Sequence, residues 1–329
     1  MSIRSFLVTG GAGFIGSALV RRLVSVGHRV RVLDDQSRGS AQRLEDVMDN
    51  IEFIEGDVRN SEVVEQAVNG MDCVCHLASI NGTKFFYTKP DLVLDVGVKG
   101  IINVVDACRK HAVGELIFAS SSEVYQRPPF IPTSEDVPLS IPDPLNPRYS
   151  YAAAKIISEV MTLTYGRKDF NRALIFRPHN VYGPDMGWEH VIPEFVVRMK
   201  QLVQHSTGVV KFPIQGTGEE TRSFVFIEDF IDGLMLVIEK GRHLEIYHIG
   251  TDQEIRIDEV AKQIGQYFGR RIEVVPGQAP EGETKRRCCD IRKLAALGYR
   301  PKYNFSRALP IVASWYDAHA REAASQPVI

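Results

Sequence analysis

No stretch of this sequence approaches the roughly 20 consecutive apolar residues needed to cross a bilayer. Nor is charge of one sign in excess. Lys and Arg number 39 against 41 Asp and Glu, a formal net charge of −2. That balance supplies no field for nucleic acid and none for an anionic membrane surface, so neither partner is expected. Cysteine is scarce: five residues, an odd count. Cys73 and Cys75 alternate within an apolar run, Cys108 lies on a helical stretch, and the adjacent Cys288 and Cys289 have no companions at metal-ligand spacing. The expectation is reduced thiols, no metal and a cytoplasmic setting. The opening "MSIRSFLVTG" runs straight into a strand without a signal-peptide layout. Internal repeats and low-complexity segments are absent.

What is there is an alternation. β-rich runs, "SFLVTG", "RVRVLD", "IEFIEGD", "DCVCHLA", "ELIFASS" and "NRALIFRP", are separated by amphipathic stretches such as "IGSALVRRLVSVG", "SEVVEQAVNG", "GIINVVDACRKH" and "YAAAKIISEVMTLTYGR". Strands alternating with helices imply right-handed β-α-β crossovers and one doubly wound parallel sheet covered on both faces. The class is therefore α/β, a Rossmann-type sheet with a smaller, partly interleaved C-terminal substrate domain. After "RPHNVYGP" the rhythm loosens and loops lengthen. Residues 1–177 with about 225–250 are assigned to the dinucleotide-binding part, and about 178–224 with 251–329 to the second part. The tail "REAASQPVI" is expected to be disordered.

The stretch "VTGGAGFIGSALVRRL" spaces Gly10, Gly13 and Gly16 three apart between a strand and a helix. Gly10 suits a tight strand-to-helix turn, Gly13 a close approach of backbone to a pyrophosphate, and Gly16 close packing of helix on sheet. The helix N-terminus then faces the phosphates with free N–H groups and its positive dipole end. The second strand ends in Asp34, an acid placed to accept from ribose hydroxyls and to repel a 2′-phosphate, which favours NAD over NADP. Arg38 lies beyond the ribose position. "EGDVR" puts Asp57 at the third strand end, where adenine would sit.

"YSYAAAK" places Tyr151 and Lys155 one helical turn apart on one face. A free tyrosine titrates near 10, and a base working at neutral pH needs a shift of about three units, or about 4 kcal/mol. A neighbouring ammonium supplies a shift of that sign, and the charge of oxidised nicotinamide adds to it. Upstream, "FASSSEVY" offers Ser121 to hold a substrate hydroxyl that Tyr151 deprotonates.

With "TGGAGFIG", "LDDQSRGS", "GDVR", "HLAS", "SSSEVY", "YAAAK", "RPHNVYGP", "GTGEETRSFVFIED" and "RRCCD" in this order, the chain resembles the extended short-chain dehydrogenase/reductase family, specifically its nucleotide-sugar epimerases and dehydratases. The likeness runs from residue 9 to about 300. It implies Tyr151 as catalytic base and acid, Lys155 as the group that lowers its pKa and binds ribose, and Ser121 as the catalytic serine. Cofactor contacts implied are Gly10, Gly13, Phe14, Ile15, Gly16, Asp34, Asp57, Val58, Leu77, Ala78, Tyr151 and Lys155. Asn180 is implied at the sugar or its phosphates, and Arg222 with Arg287 as a clamp on a nucleotide diphosphate, a task suited to forked, permanently charged guanidinium groups. Relatives in the family pair as homodimers through a four-helix bundle, which the broad apolar arcs of "DLVLDVGVKGIINVVDACRKH" and "YAAAKIISEVMTLTYG" match.

The chain departs from the family pattern in places. Gly97 and Ile101 stand where Asn-x-x-Gly-Thr is usual, Asn81 where some 4-epimerases carry a lysine, and Gln126 where glycine follows "VY". His76 reads as a structural histidine at a strand end. Trp188, Glu189 and His190 are candidates for shaping the sugar pocket.

The resemblance implies a shared first step, oxidation of the sugar at carbon 4, after which epimerisation, dehydration and decarboxylation diverge. Glu123, two residues before the tyrosine of "VY", stands where dehydratases and decarboxylases place a second base. Beside it, however, is Ser122 rather than aspartate, and "TRSF" resembles epimerase members. Epimerisation is favoured, with 4,6-dehydration or decarboxylation through Glu123 as the alternative and a catalytically silent NAD-binding scaffold as another class.

Overall fold

The computed structural model describes residues 3–278 and 285–322; most of the tail expected to be disordered, 323–329, lies outside the described residues. Seven parallel strands form the main sheet: β1 (Ser5–Thr9), β2 (Arg29–Asp34), β3 (Ile51–Glu55), β4 (Cys73–His76), β5 (Glu115–Ala119), β6 (Arg172–Pro178) and β7 (Ile246–Ile249). Their order across the sheet is β7-β6-β5-β4-β1-β2-β3, a doubly wound Rossmann-type arrangement. The six runs read as strands are all present; β7 is an additional edge strand, paired to β6 in parallel register.

Period-two alternation sorts the strand side chains onto two faces. Phe6, Val8, Cys73, Cys75, Ile117 and Phe176 enter one buried cluster. Leu7, Val74, Leu116, Phe118 and Ile175 enter the other. The helix Phe14–Ser25 covers the first face through Leu19, Val20 and Leu23. Helices Ser61–Val68 and Gly100–Lys110 cover the second. The connection from β2 to β3 is a ten-residue 3-10 turn, Ala41–Asn50, rather than an α-helix. All five cysteines are buried and unbridged.

A third core lies outside the sheet. Ile192, Phe195 and Met199 of helix Val191–Gln204 pack with Phe212, with Val260 and Ile264 of helix Ile257–Tyr267, and with Leu309, Val312 and Tyr316 of helix Phe305–Ala318. Among the described residues no helix is long and apolar enough to cross a membrane.

The helix Ser150–Asp169 packs beside a continuous helical run made of Pro90–Leu94, a π-turn at Asp95–Lys99, and Gly100–Lys110. Here the departure at Gly97 finds its reason: a Cβ on Gly97 would lie 2.7 Å from the Cβ of Ala154. Ile101, one turn on, is fully buried in the core against the sheet. The absent side chain lets the Tyr151 helix sit close. Gly97→Val should therefore destabilise the fold by about 1–3 kcal/mol through overpacking, read as a lower denaturant midpoint with unchanged slope.

Candidate active site

All seven strands point the same way, so their carboxyl ends share one edge of the sheet. The chain leaves β1 and β4 toward opposite sides, which opens a crevice there, the usual ligand position in such sheets. A cleft of about 960 Å³ occupies it.

Its floor is the glycine turn. Gly10 has φ +70°, a conformation that L side chains rarely adopt, and a Cβ there would come within 2.8 Å of the Ala78 backbone nitrogen. A Cβ on Gly16 would fall 2.1 Å from the Gly10 carbonyl oxygen. The cradle is thus a space that any side chain would fill. Gly13 is the residue preceding the helix Phe14–Ser25, which has no acidic residue in its first turn to compete for an anion. At the end of β2, the Asp34 carboxylate accepts from the Ala12 N–H at 2.9 Å and from the Gln36 N–H at 2.8 Å. It therefore ties the glycine turn to the strand end. Burial raises its pKa, partly offset by those two hydrogen bonds. Val58, Leu77 and Ala78 line the same cleft, as do Phe14 and Ile15. Just past the end of β3, the Asp57 carboxylate is bound by Arg59, two residues on, at 2.5–3.1 Å. Arg38 does line the cleft. Its guanidinium lies 4.4 Å from the Phe85 ring centre and donates to the Asn81 carbonyl at 3.1 Å.

At the other end of the cleft, β5 delivers Ser121. Ser121 and Ser79 stand near enough to the Tyr151 hydroxyl to favour its ionised form, and Phe86 stacks on its ring at 4.9 Å between centres. Lys155 Nζ donates to the Ala119 carbonyl at 2.7 Å and lies 5.6 Å from the Tyr151 ring centre. Both groups are buried. Burial pushes the Tyr151 phenol up to about 12; the field of Glu123 adds to this, and the two serine hydroxyls oppose it. Burial also brings the Lys155 amine down to about 7, while Glu159 raises it. Removing both side chains from water penalises each charged form. His76 at the end of β4 bonds Thr9 Oγ1 through Nδ1 at 2.7 Å, and burial, with Lys155 nearby, lowers it to about 3.

Arg222 and Arg287 come from strands far apart in sequence, Thr221–Arg222 and Arg286–Arg287. These strands pair in parallel with Arg222 opposite Arg287, so both guanidinium groups reach the same wall of the cleft. Arg287 Nη1 meets Glu123 Oε1 at 2.5 Å, and Arg148 Nη2 stands 4.0 Å from Glu123 Oε2. Burial would raise the Glu123 carboxyl, but Arg287, Arg148 and Arg222 together hold it below the usual range. Ser122 is buried beside it and lines the cleft. Asn180 lines the cleft as well, its amide donating to the Ser223 carbonyl at 3.1 Å. Trp188, Glu189 and His190 form part of the rim, Trp188 being wedged edge-on against Tyr316 at 5.1 Å. Gln126 adopts φ +52°, where the family's glycine would be at ease; its side-chain amide donates to the Glu123 carbonyl at 2.6 Å.

The sequence reading passed over Ser79, Phe86 and Arg148. Ser79 sits inside the quoted "HLAS", so its position at a strand end was a usable signal. Phe86 and Arg148 lie in connecting segments, and what they meet, the Tyr151 ring and the Glu123 carboxylate, depends on tertiary packing.

A glycine cradle at the switch point of a parallel sheet, opening into a cleft that Ser121, Tyr151 and Lys155 also line, defines the class as a Rossmann-type dinucleotide-binding fold. The chain belongs to the NAD dependent epimerase/dehydratase family, whose model matches residues 6–250. It is 29% identical to a putative UDP-glucose 4-epimerase of Methanocaldococcus jannaschii over 94% of this chain and 97% of the relative. It is 31% identical to a UDP-N-acetyl-alpha-D-glucosaminuronate decarboxylase of Bacillus cytotoxicus, again over 94% and 97%. The structure of the dTDP-glucose 4,6-dehydratase DesIV from Streptomyces venezuelae, solved with NAD bound, superposes with a TM-score of 0.83 at 29% identity, covering 97% of this chain and 98% of that one. NAD is the family's cofactor, and the cradle that a single Cβ would block fits it.

Asp34→Ala would release the Ala12 and Gln36 N–H groups and remove the ribose acceptor. Titration calorimetry should show NAD binding weakened by about tenfold to a hundredfold, with the preference over NADP reduced.

Proposed function

We propose that this protein is a cytoplasmic NAD-dependent nucleotide-sugar epimerase that works through a transient ketone at carbon 4 of the sugar. The observation that carries the reading is that Tyr151, Lys155 and Ser121 line the same cleft as the glycine cradle Gly10, Gly13 and Gly16. Gly10, Gly13, Phe14, Ile15, Gly16, Asp34, Val58, Leu77 and Ala78 would hold NAD, and Lys155 its nicotinamide ribose. Bound there, NAD supplies the acceptor for the carbon-bound hydride and the positive charge that the phenol still lacks. Tyr151 takes the proton from the 4-hydroxyl, which Ser121 orients, and returns it once the ketone has turned its other face. Arg222 and Arg287 bind the diphosphate, and Asn180 contacts the sugar or its phosphates. Residues 1–177 with about 225–250 would serve the cofactor, and about 178–224 with 251–329 the nucleotide sugar.

Epimerisation needs no second acid or base, and Glu123 is poorly suited to be one. Its carboxylate is held by Arg287 and kept ionised by three arginines, so its affinity for a proton is low. One observation favours a second reading, dehydration or decarboxylation: Glu123 lines the cleft close enough for its charge to act on Tyr151. A catalytically silent scaffold is disfavoured by the intact Ser121–Tyr151–Lys155 set.

Incubation with a panel of UDP-, GDP-, dTDP- and CDP-sugars separates the readings. A new epimer at unchanged mass, seen by proton NMR, supports epimerisation; loss of water or carbon dioxide in mass spectrometry overturns it in favour of the second reading. Tyr151→Phe should lower turnover by about a hundredfold or more while the unfolding midpoint stays put.

Assembly follows from the helices beside the site. Leu94, Ile102, Ile157 and Val160 are 39%, 40%, 49% and 58% exposed on the two packed helical runs, an apolar surface that a second copy would cover in a four-helix bundle. Light scattering at micromolar concentration should give a dimer mass, and Val160→Glu should shift it to monomer.

A further inference from the structure

Behind the site lies a charged pair that the reaction as described does not use. Glu159 and Arg177 are 2% and 2% exposed. They meet through two hydrogen bonds, Arg177 Nε to Glu159 Oε1 at 2.8 Å and Arg177 Nη2 to Oε2 at 2.6 Å. The Ser120 hydroxyl donates to the same carboxylate. Arg177 Nη1 donates to the Tyr125 hydroxyl and to the Glu135 carbonyl, and Tyr125 in turn meets His248 Nε2 at 2.6 Å. Arg177 and Ser120 together fix both oxygens of the Glu159 carboxylate in place.

Its position is the informative part. Glu159 stands one turn beyond Lys155 on the same helix, four residues on, as Lys155 stands beyond Tyr151. Ser120, which bonds Glu159, lies between Ala119, whose carbonyl takes the Lys155 proton donor, and Ser121. The groups around the Lys155 amine are few. Tyr151 and Glu159 come from its own helix, neutral His76 from β4, and the Ala119 carbonyl and Phe118 ring from β5. Arg177 from β6 sits behind Glu159, and the Asp95–Lys99 pair of the neighbouring helix is exposed. Glu159 is thus the one carboxylate among the described residues whose charge opposes the burial of Lys155.

We propose that Glu159, clamped by Arg177 and Ser120 one helical turn beyond Lys155, is a positioning residue whose carboxylate sets the electrostatic environment of the Lys155 amine beside Tyr151. The inference rests on the functional reading only in giving Lys155 a task; the charge coupling is measurable without turnover.

The test uses NAD-loaded protein labelled with carbon-13 at lysine Cε, the Lys155 resonance being identified by its loss in Lys155→Met. The pH midpoint of that resonance should fall by about one pH unit or more in Glu159→Gln. In Arg177→Gln, where the carboxylate is left without its counter-charge, it should rise. A merely structural pair would move both midpoints in the same direction or neither, and either result overturns the proposal. Should a single variant not fold, Glu159→Gln with Arg177→Met, which removes both buried charges together, decides the matter: a lowered midpoint supports the proposal and an unchanged one overturns it. A coupled midpoint in a protein that turns over no nucleotide sugar would still support this inference and would count against the functional reading alone.

Discussion

The rest of the structure depends on one constraint: seven strands running in the same direction bring all their carboxyl ends to a single edge. Parallel strands require crossovers, the crossovers cover both faces with helices, and the first reversal of strand order leaves a crevice that no helix fills. Gly10 at the end of β1, Asp34 at the end of β2, His76 at the end of β4 and Ser121 just past β5 are all consequences of that edge. Residues separated by more than 100 positions become neighbours without any loop having to carry them there.

Burial at that edge sets the chemistry. A tyrosine and a lysine taken out of water together do not simply charge one another. The phenol is driven up and the amine down, because burial penalises the charged form of each. The Glu159–Arg177 and Glu123–Arg287 pairs each bring a carboxylate near one of the two groups, Glu159 acting on Lys155 and Glu123 on Tyr151, and both raise the pKa of the group they act on. The same arginine that suits a diphosphate is already matched to a carboxylate, which keeps a guanidinium in the cleft from being an unpaired buried charge.

Packing follows the same economy of space. Gly97 has no side chain because the Tyr151 helix approaches to within a methyl's width of it. Gln126 keeps a left-handed backbone where glycine would be freer, and its amide bonds the Glu123 carbonyl, so the turn that carries Glu123 is braced by its own neighbour.

Local order determined a great deal. The six strand runs, the glycine turn, Asp34, Ser121 and the Tyr151–Lys155 spacing were legible because each depends on short-range periodicity or on a fixed offset along one helix. Arg222 and Arg287 are far apart in sequence; only the parallel register of Thr221–Arg222 with Arg286–Arg287 puts them side by side. Tertiary structure alone decided that Asp57 pairs with Arg59, that Phe86 stacks on Tyr151, and that the phenol and the amine are both buried. Spacing along a chain is written in the sequence. Distance between segments, and the water excluded from between them, exist only once the core has closed.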